Sequence, residues 1–261
     1  MNLPLKVDSS TGVPMVCITI IGKRDAGKTT LAEALLRSMQ VPAEHVVLVD
    51  PQGSFSARTG IVRYNVDAED ADIGVLLKHF LDEAEQGKGG KFFVVDEADR
   101  YMGVLSVQGG QGGELFRLVN VSRGWGCGVL LIAHGSNVVS KNVLEQSDVV
   151  FIANVTTPGG LDYWRGYLGG KNFSELIRRL PPHYFVCWVN SLAPHQFQGI
   201  VTVRDGQVVP VSEEELRRVM GSSAVVEEEQ VDDLATGGPE PEDVPGADEP
   251  PEDEGPRAPG A

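Results

Sequence analysis

No stretch of this 261-residue chain is apolar for long enough to span a bilayer; the longest runs, such as residues 129–133, fall far short of the roughly 18 residues required. Residues 1–14 lack the basic-then-apolar order of a secretory signal, so export is not expected. Cysteine is scarce. Cys17, Cys127 and Cys187 each sit inside an apolar run, and an odd number of core-like thiols argues against a disulfide framework. That usage fits a reducing compartment, with the cytoplasm as the expected location. Positive charge is short as well: 22 Lys and Arg against 37 Asp and Glu leave a net −15. The deficit is concentrated in residues 222–261, which hold 13 acids and one base, Arg257, so the body is close to neutral. A near-neutral body permits a local basic patch for nucleic acid but does not demonstrate one. Aromatic residues make up 7% of the chain, and Trp125, Trp164 and Trp188 read as packing residues rather than base-stacking platforms. There is no internal repeat.

What is present divides the chain into an N-terminal segment (1–14), a domain (15–221) and a tail (222–261). The tail is rich in Glu, Asp, Pro and Gly and cannot bury enough apolar surface to offset its ordering entropy, which predicts disorder. It reads either as a solubilising segment or as an acidic arm for a basic partner or channel. In the domain, apolar runs predict strands at 15–21, 46–49, 92–95, 128–133 and 149–153, with a short extra strand at 61–66. Helical spacing marks 28–39, 73–84, 114–121, 139–146 and 173–180. Late strands at 184–189 and 198–203 extend the sheet. Continuous apolar strands alternating with helices predict an α/β fold: a mostly parallel sheet covered on both faces.

Two motifs carry chemistry. Gly22-Lys23-Arg24-Asp25-Ala26-Gly27-Lys28-Thr29 fits G-x-x-x-x-G-K-[ST], a phosphate-binding loop between a strand and a helix. Glycine lets the loop curl until its backbone N–H groups face the phosphates, and the helix dipole adds positive potential. Lys28 would reach the β- and γ-phosphates, Thr29 would ligate Mg2+, and Thr30 completes the nucleotide-binding run. The second motif is Phe92-Phe93-Val94-Val95-Asp96-Glu97. Asp96, ending a buried strand beside the P-loop strand or one strand away, would hold Mg2+ through water or the Thr29 hydroxyl. Glu97 would orient and deprotonate the attacking water. A glutamate directly after the aspartate points to an ATP-hydrolysing motor rather than a kinase or a GTPase switch.

With those motifs the chain resembles the HerA/FtsK superfamily of P-loop ATPases. Val47-Leu48-Val49-Asp50-Pro51-Gln52-Gly53 is similar to that family's second strand and D-P-x-G turn. Ser122-Arg123-Gly124-Trp125-Gly126, leading into Val129-Leu130-Leu131-Ile132-Ala133-His134, is similar to its arginine element and sensor strand. The match covers about 15–203 at the level of motifs. It implies a RecA-like P-loop NTPase fold of the ASCE type. It also implies ATP and Mg2+ as cofactors, a homo-oligomeric ring (a hexamer) and double-stranded DNA as partner. His134 would be the sensor of the γ-phosphate or attacking water, where the family usually has Gln; a strand-end histidine bonded to backbone is the other reading. Arg123 would sense or stabilise nucleotide, within its subunit or across an interface, or would cap the helix 114–121. The loop Gly109-Gly110-Gln111-Gly112-Gly113 reads as channel-facing or as a plain linker.

Neither an added barrel nor a membrane or DNA-reading domain is visible, so the resemblance is greatest to the small genome-packaging ATPases of internal-membrane icosahedral viruses, with capsid or membrane-vertex proteins as further partners. Two alternatives stand: an assembly or regulatory factor that uses ATP as a conformational switch, and a cellular HerA-like DNA-processing ATPase. A small-molecule kinase would need an arginine-rich lid, and none is seen.

Overall fold

Strand β1 (Cys17–Ile21) lies inside a nine-stranded sheet of order β3-β2-β4-β5-β1-β6-β7-β8-β9. The computed structural model describes residues 5–56, 61–64, 70–87, 90–105, 117–120, 122–135, 139, 141–168, 171–190 and 196–221. All belong to the first of two units, Met1–Glu227 and Glu228–Ala261. The glycine loop at 109–113, most of the helix expected at 114–121 and the acidic tail lie outside the described residues.

Strands β2 (Val46–Val49), β3 (Val62–Tyr64), β4 (Phe92–Val95), β5 (Gly128–Ala133) and β6 (Val149–Ile152) run parallel with β1. Strands β7 (Tyr184–Val189), β8 (Gln196–Arg204) and β9 (Gln207–Pro210) continue the sheet antiparallel. Successive side chains of a strand point to opposite faces, and here both faces are dry. Ile18 and Ile20 of β1 enter one core, while Cys17 and Ile21 enter the other. Phe92 and Phe93 divide in the same way, each wholly buried; truncating either to alanine costs about 3–5 kcal/mol. Burial on both sides is why the central strands read as unbroken apolar runs.

Helix α1 (Lys28–Ser38) packs Leu31, Leu35 and Leu36 into the first core. The second receives α2 (Asp70–Glu85) through Leu77 and Leu81, and α3 (Ala98–Leu105) through Ala98 and Tyr101. It also receives α4 (Lys141–Gln146), α5 (Pro158–Leu168) and α6 (Lys171–Arg179). The last helix, α7 (Glu213–Met220), is capped by Ser212, whose side chain accepts from Glu215 N. Residues 117–120 are helical, and a short 3-10 turn spans Ser122–Trp125.

Four elements were not anticipated: α3, α5, β9 and α7. Pro158, Gly159, Gly160 and Gly166 make α5 a poor helix on intrinsic preference. Burial of Trp164 and Leu168 overrides that cost. The α7 signal was legible, since Ser212 followed by three glutamates forms a capping sequence with acids in the first turn.

Candidate active site

The P-loop leaves the carboxyl end of β1, where a strand, a tight loop and a helix must meet without a gap. Gly22 is buried there, and a Cβ on it would lie 2.5 Å from Ala153 Cβ, so a side chain is excluded. Gly27, which precedes α1, has φ +86°, the left-handed conformation that glycine adopts freely. Asp25 is left-handed too, with φ +61°. Left-handed residues of this kind let a loop curl around an anion, as a phosphate-binding nest requires. Lys23, Arg24 and Asp25 are exposed, Ala26 is buried, and Thr29 and Thr30 open the first turn of α1. Gly22 N donates to Ala133 O (3.3 Å) and Lys23 N to Asn154 O (3.3 Å), which ties the loop to β5 and to the segment after β6.

Lys28 is buried. Its Nζ donates to Lys23 O at 2.9 Å and lies 3.0 Å from His134 Nδ1. Desolvation pulls its pKa below the ordinary lysine value, while Asp96, Asp99, Asp25 and Glu97 push the other way.

Asp96 and Glu97 follow β4, and β5 separates β4 from β1. The Asp-Glu strand is therefore one strand away from the P-loop strand. Asp96 is buried, accepting from Glu97 N (2.9 Å) and from Ser54 Oγ (2.6 Å). Glu97 is also buried, with φ +51°, a strained conformation for a residue with a side chain. Gln52 Nε2 donates to its Oε1. Arg100 Nε lies 2.6 Å from Oε2 as an ion pair whose alignment leaves Oε2 without a hydrogen bond.

These contacts depend on the turn after β2. Asp50 is fully buried; its carboxylate accepts from Ser54 N (2.9 Å), Ser54 Oγ (3.2 Å) and Phe55 N (3.1 Å) and pairs with Arg63 (3.3 Å). An aspartate folding its own downstream backbone in this way is the reason for the D-P-x-G pattern. The turn delivers Ser54 to Asp96 and Gln52 to Glu97.

His134 directly follows β5 and closes the group. Its N–H donates to Asp99 Oδ1 (3.2 Å), Nδ1 faces Lys28, and Nε2 is 3.5 Å from Glu97 Oε1. The imidazole thus bridges the P-loop lysine and the glutamate.

No protein-family model and no curated protein matches this chain in sequence. Solved structures do match in fold. B204, the DNA-packaging ATPase from Sulfolobus Turreted Icosahedral Virus, aligns with a TM-score of 0.55 at 18% identity, over 76% of this chain and 98% of that one. The genome packaging NTPase B204 from Sulfolobus turreted icosahedral virus 2, in complex with ATP-gammaS, aligns with a TM-score of 0.54 at 16% identity, again over 76% and 98%. The pCW3 conjugation coupling protein TcpA aligns with a TM-score of 0.52 at 14% identity, over 74% of this chain and 64% of that one. This chain has the fold of B204.

Within that fold, Arg123 stands apart from the other predicted site residues. Its Nη1 donates to Asp148 Oδ1 (2.7 Å), and Asp148 Oδ2 accepts from Cys17 N (2.8 Å). Cys17 begins β1 and the P-loop follows its end, so about 13 Å of strand separates Arg123's anchor from its own P-loop.

The donors on offer fit Mg2+: a hydroxyl from Thr29 and the carboxylate of Asp96 are hard oxygen ligands. Mg2+ is held by few protein groups, with phosphate and water completing its shell. Among the described residues no cluster of three or more His, Cys, Asp or Glu forms a self-sufficient metal cage. Sequence reasoning assigned no role to Ser54, Asp99 or Arg100, and used Gln52 only as part of a turn motif. Their signal is spatial: polar residues just past the carboxyl ends of buried parallel strands.

Proposed function

We propose that this protein is an ATP-hydrolysing motor that works as a homo-oligomeric ring, a hexamer, and moves double-stranded DNA, packaging a viral genome into a preformed capsid. The observation that carries the catalytic part is the convergence of Lys28, His134 and Glu97 at the carboxyl ends of β1, β5 and β4. The P-loop amides and Lys28 hold the β- and γ-phosphates. Thr29 and Asp96 would hold Mg2+, which when bound neutralises charge on the phosphates. Glu97 takes the proton of the attacking water, with Gln52 and Arg100 fixing its carboxylate. His134, placed between Glu97 and Lys28, donates through Nε2 toward the water or the γ-phosphate. A nucleotide role for Arg123 requires a second subunit, because Asp148 holds it at the amino-terminal end of the strands, away from its own P-loop.

The motor part rests on the packaging-ATPase fold and on the extent of the match, which covers nearly all of B204. Among the described residues no helix is long and apolar enough to cross a membrane. The reading places the chain in the host cytoplasm, engaging capsid or membrane-vertex proteins. The test is the steady-state ATPase rate with and without linear double-stranded DNA at low and moderate salt. Stimulation that falls steeply with salt supports the translocase. Robust turnover indifferent to DNA leaves the ATPase standing and moves the function to an assembly switch.

A further inference from the structure

The ends of a bound nucleotide must lie on opposite sides of the P-loop. Glu97 and His134 stand on the β4–β5 side, so the terminal phosphate points there. The base must then leave toward β6 and β7, along the crevice at the carboxyl ends of the parallel strands. On that side the chain presents Pro181, Pro182 and His183, the turn between α6 and β7.

This turn is bolted to the P-loop. His183 N donates to Ala26 O (3.0 Å), and His183 O accepts from Thr202 Oγ1 (2.8 Å). Asn154, whose own carbonyl receives Lys23 N, donates through Nδ2 to Arg178 O and Leu180 O, both at 2.8 Å. Both backbone groups of His183 are thereby committed to the framework, and its φ of +68° is a conformation that side-chain-bearing residues seldom adopt. The framework holds an imidazole that is exposed and yet pressed on the loop: a Cβ on Gly27 would lie 2.2 Å from its Nδ1. A backbone fixed at both its N–H and its C=O, carrying an exposed aromatic ring against a phosphate-binding loop, is suited to stacking.

We propose that His183 is the platform on which the base of the bound nucleoside triphosphate stacks. The proposal rests on the reading of the P-loop as a nucleotide site and adds the base-contacting residue. Its test is calorimetric titration of the full-length wild type, His183→Asn and His183→Phe with ATP and with inorganic tripolyphosphate, which has no base. Asn tolerates the left-handed backbone but removes the ring. We expect His183→Asn to weaken ATP about tenfold, the loss of one base–aromatic stack. Tripolyphosphate affinity should stay within about twofold, and His183→Phe should bind ATP within about threefold of wild type. Equal weakening of ATP and tripolyphosphate by His183→Asn would overturn the proposal, because the ring would then act on the P-loop or the phosphates. Unchanged ATP affinity, or His183→Phe as weak as His183→Asn, would overturn it as well. Wild-type protein that binds neither compound gives a different result, removing the nucleotide site itself.

Discussion

Asp50→Asn removes one charge at constant shape from a carboxylate that is fully buried. Oδ1 accepts from Ser54 N and Oγ, and Oδ2 accepts from Phe55 N and faces Arg63. Whichever way the amide is turned, its NH2 group confronts a backbone N–H, so one buried donor is left facing another. A hydrogen bond to a charged group contributes about 1.5–3 kcal/mol and an orphaned buried donor costs about 1–3 kcal/mol. The two overlap, and we expect a loss of about 3 kcal/mol. The Arg63 side chain is 31% exposed and can rehydrate, so its share is small. For a domain of this size, about 2–4 °C per kcal/mol translates into a fall in Tm of about 6–12 °C. Turnover should drop as well, since the Ser54–Asp96 and Gln52–Glu97 hydrogen bonds depend on the turn that Asp50 folds. Thermal and urea unfolding with a parallel ATPase assay measure both effects. An Asp50→Asn protein within about 0.5 kcal/mol of wild type and fully active would refute the claim that this carboxylate organises the site.

Glu97→Gln should retain ATP binding while turnover falls by a factor of about 100 or more, measured by binding and phosphate release on the same preparation. Gln52→Ala should lower kcat several-fold with ATP affinity unchanged; a pure affinity loss would show that Gln52 does not position Glu97. Lys28→Ala should abolish tight ATP binding. In the wild type, burial lowers the Lys28 pKa, so its charge is lost at lower pH than for an exposed lysine. ATP affinity should therefore begin to decline with rising pH before the ordinary 10.5 is reached; a flat titration up to that pH would contradict the role of the charge. Burial pushes the Cys17 and Cys187 thiols up to about 12, so both should resist thiol reagents at pH 8 until the protein unfolds. Because these values are raised above the ordinary 9.0, the stability they contribute is complete below pH 9 and is lost as pH climbs toward 12.

Much of the framework is local and was therefore legible. The strand expected at 46–49 is Val46–Val49, and the strand expected at 92–95 is Phe92–Val95, because strands buried on both faces have to be unbroken apolar runs. The P-loop is legible for a related reason: glycine at positions 22 and 27 is demanded by close packing and positive φ, and lysine at 28 opens the helix. Elements of weak intrinsic preference were not legible. Helix α5, with three glycines, exists because the second core accepts Trp164 and Leu168, and no window of sequence contains that core.

The sequence by itself determined which segments are strands and helices and which residues bear phosphate chemistry, because spacing and side-chain type act over a few residues. Only the tertiary structure decided where those residues meet. Pairing of β1 with β5, whose partners Ile21 and Ala133 lie more than a hundred residues apart, inserts β5 beside the P-loop strand. That insertion sets His134 between Lys28 and Glu97 and leaves Arg123 at the opposite end of the strands. Strand order comes from long-range pairing and the fit of two cores, and local pattern carries no record of either.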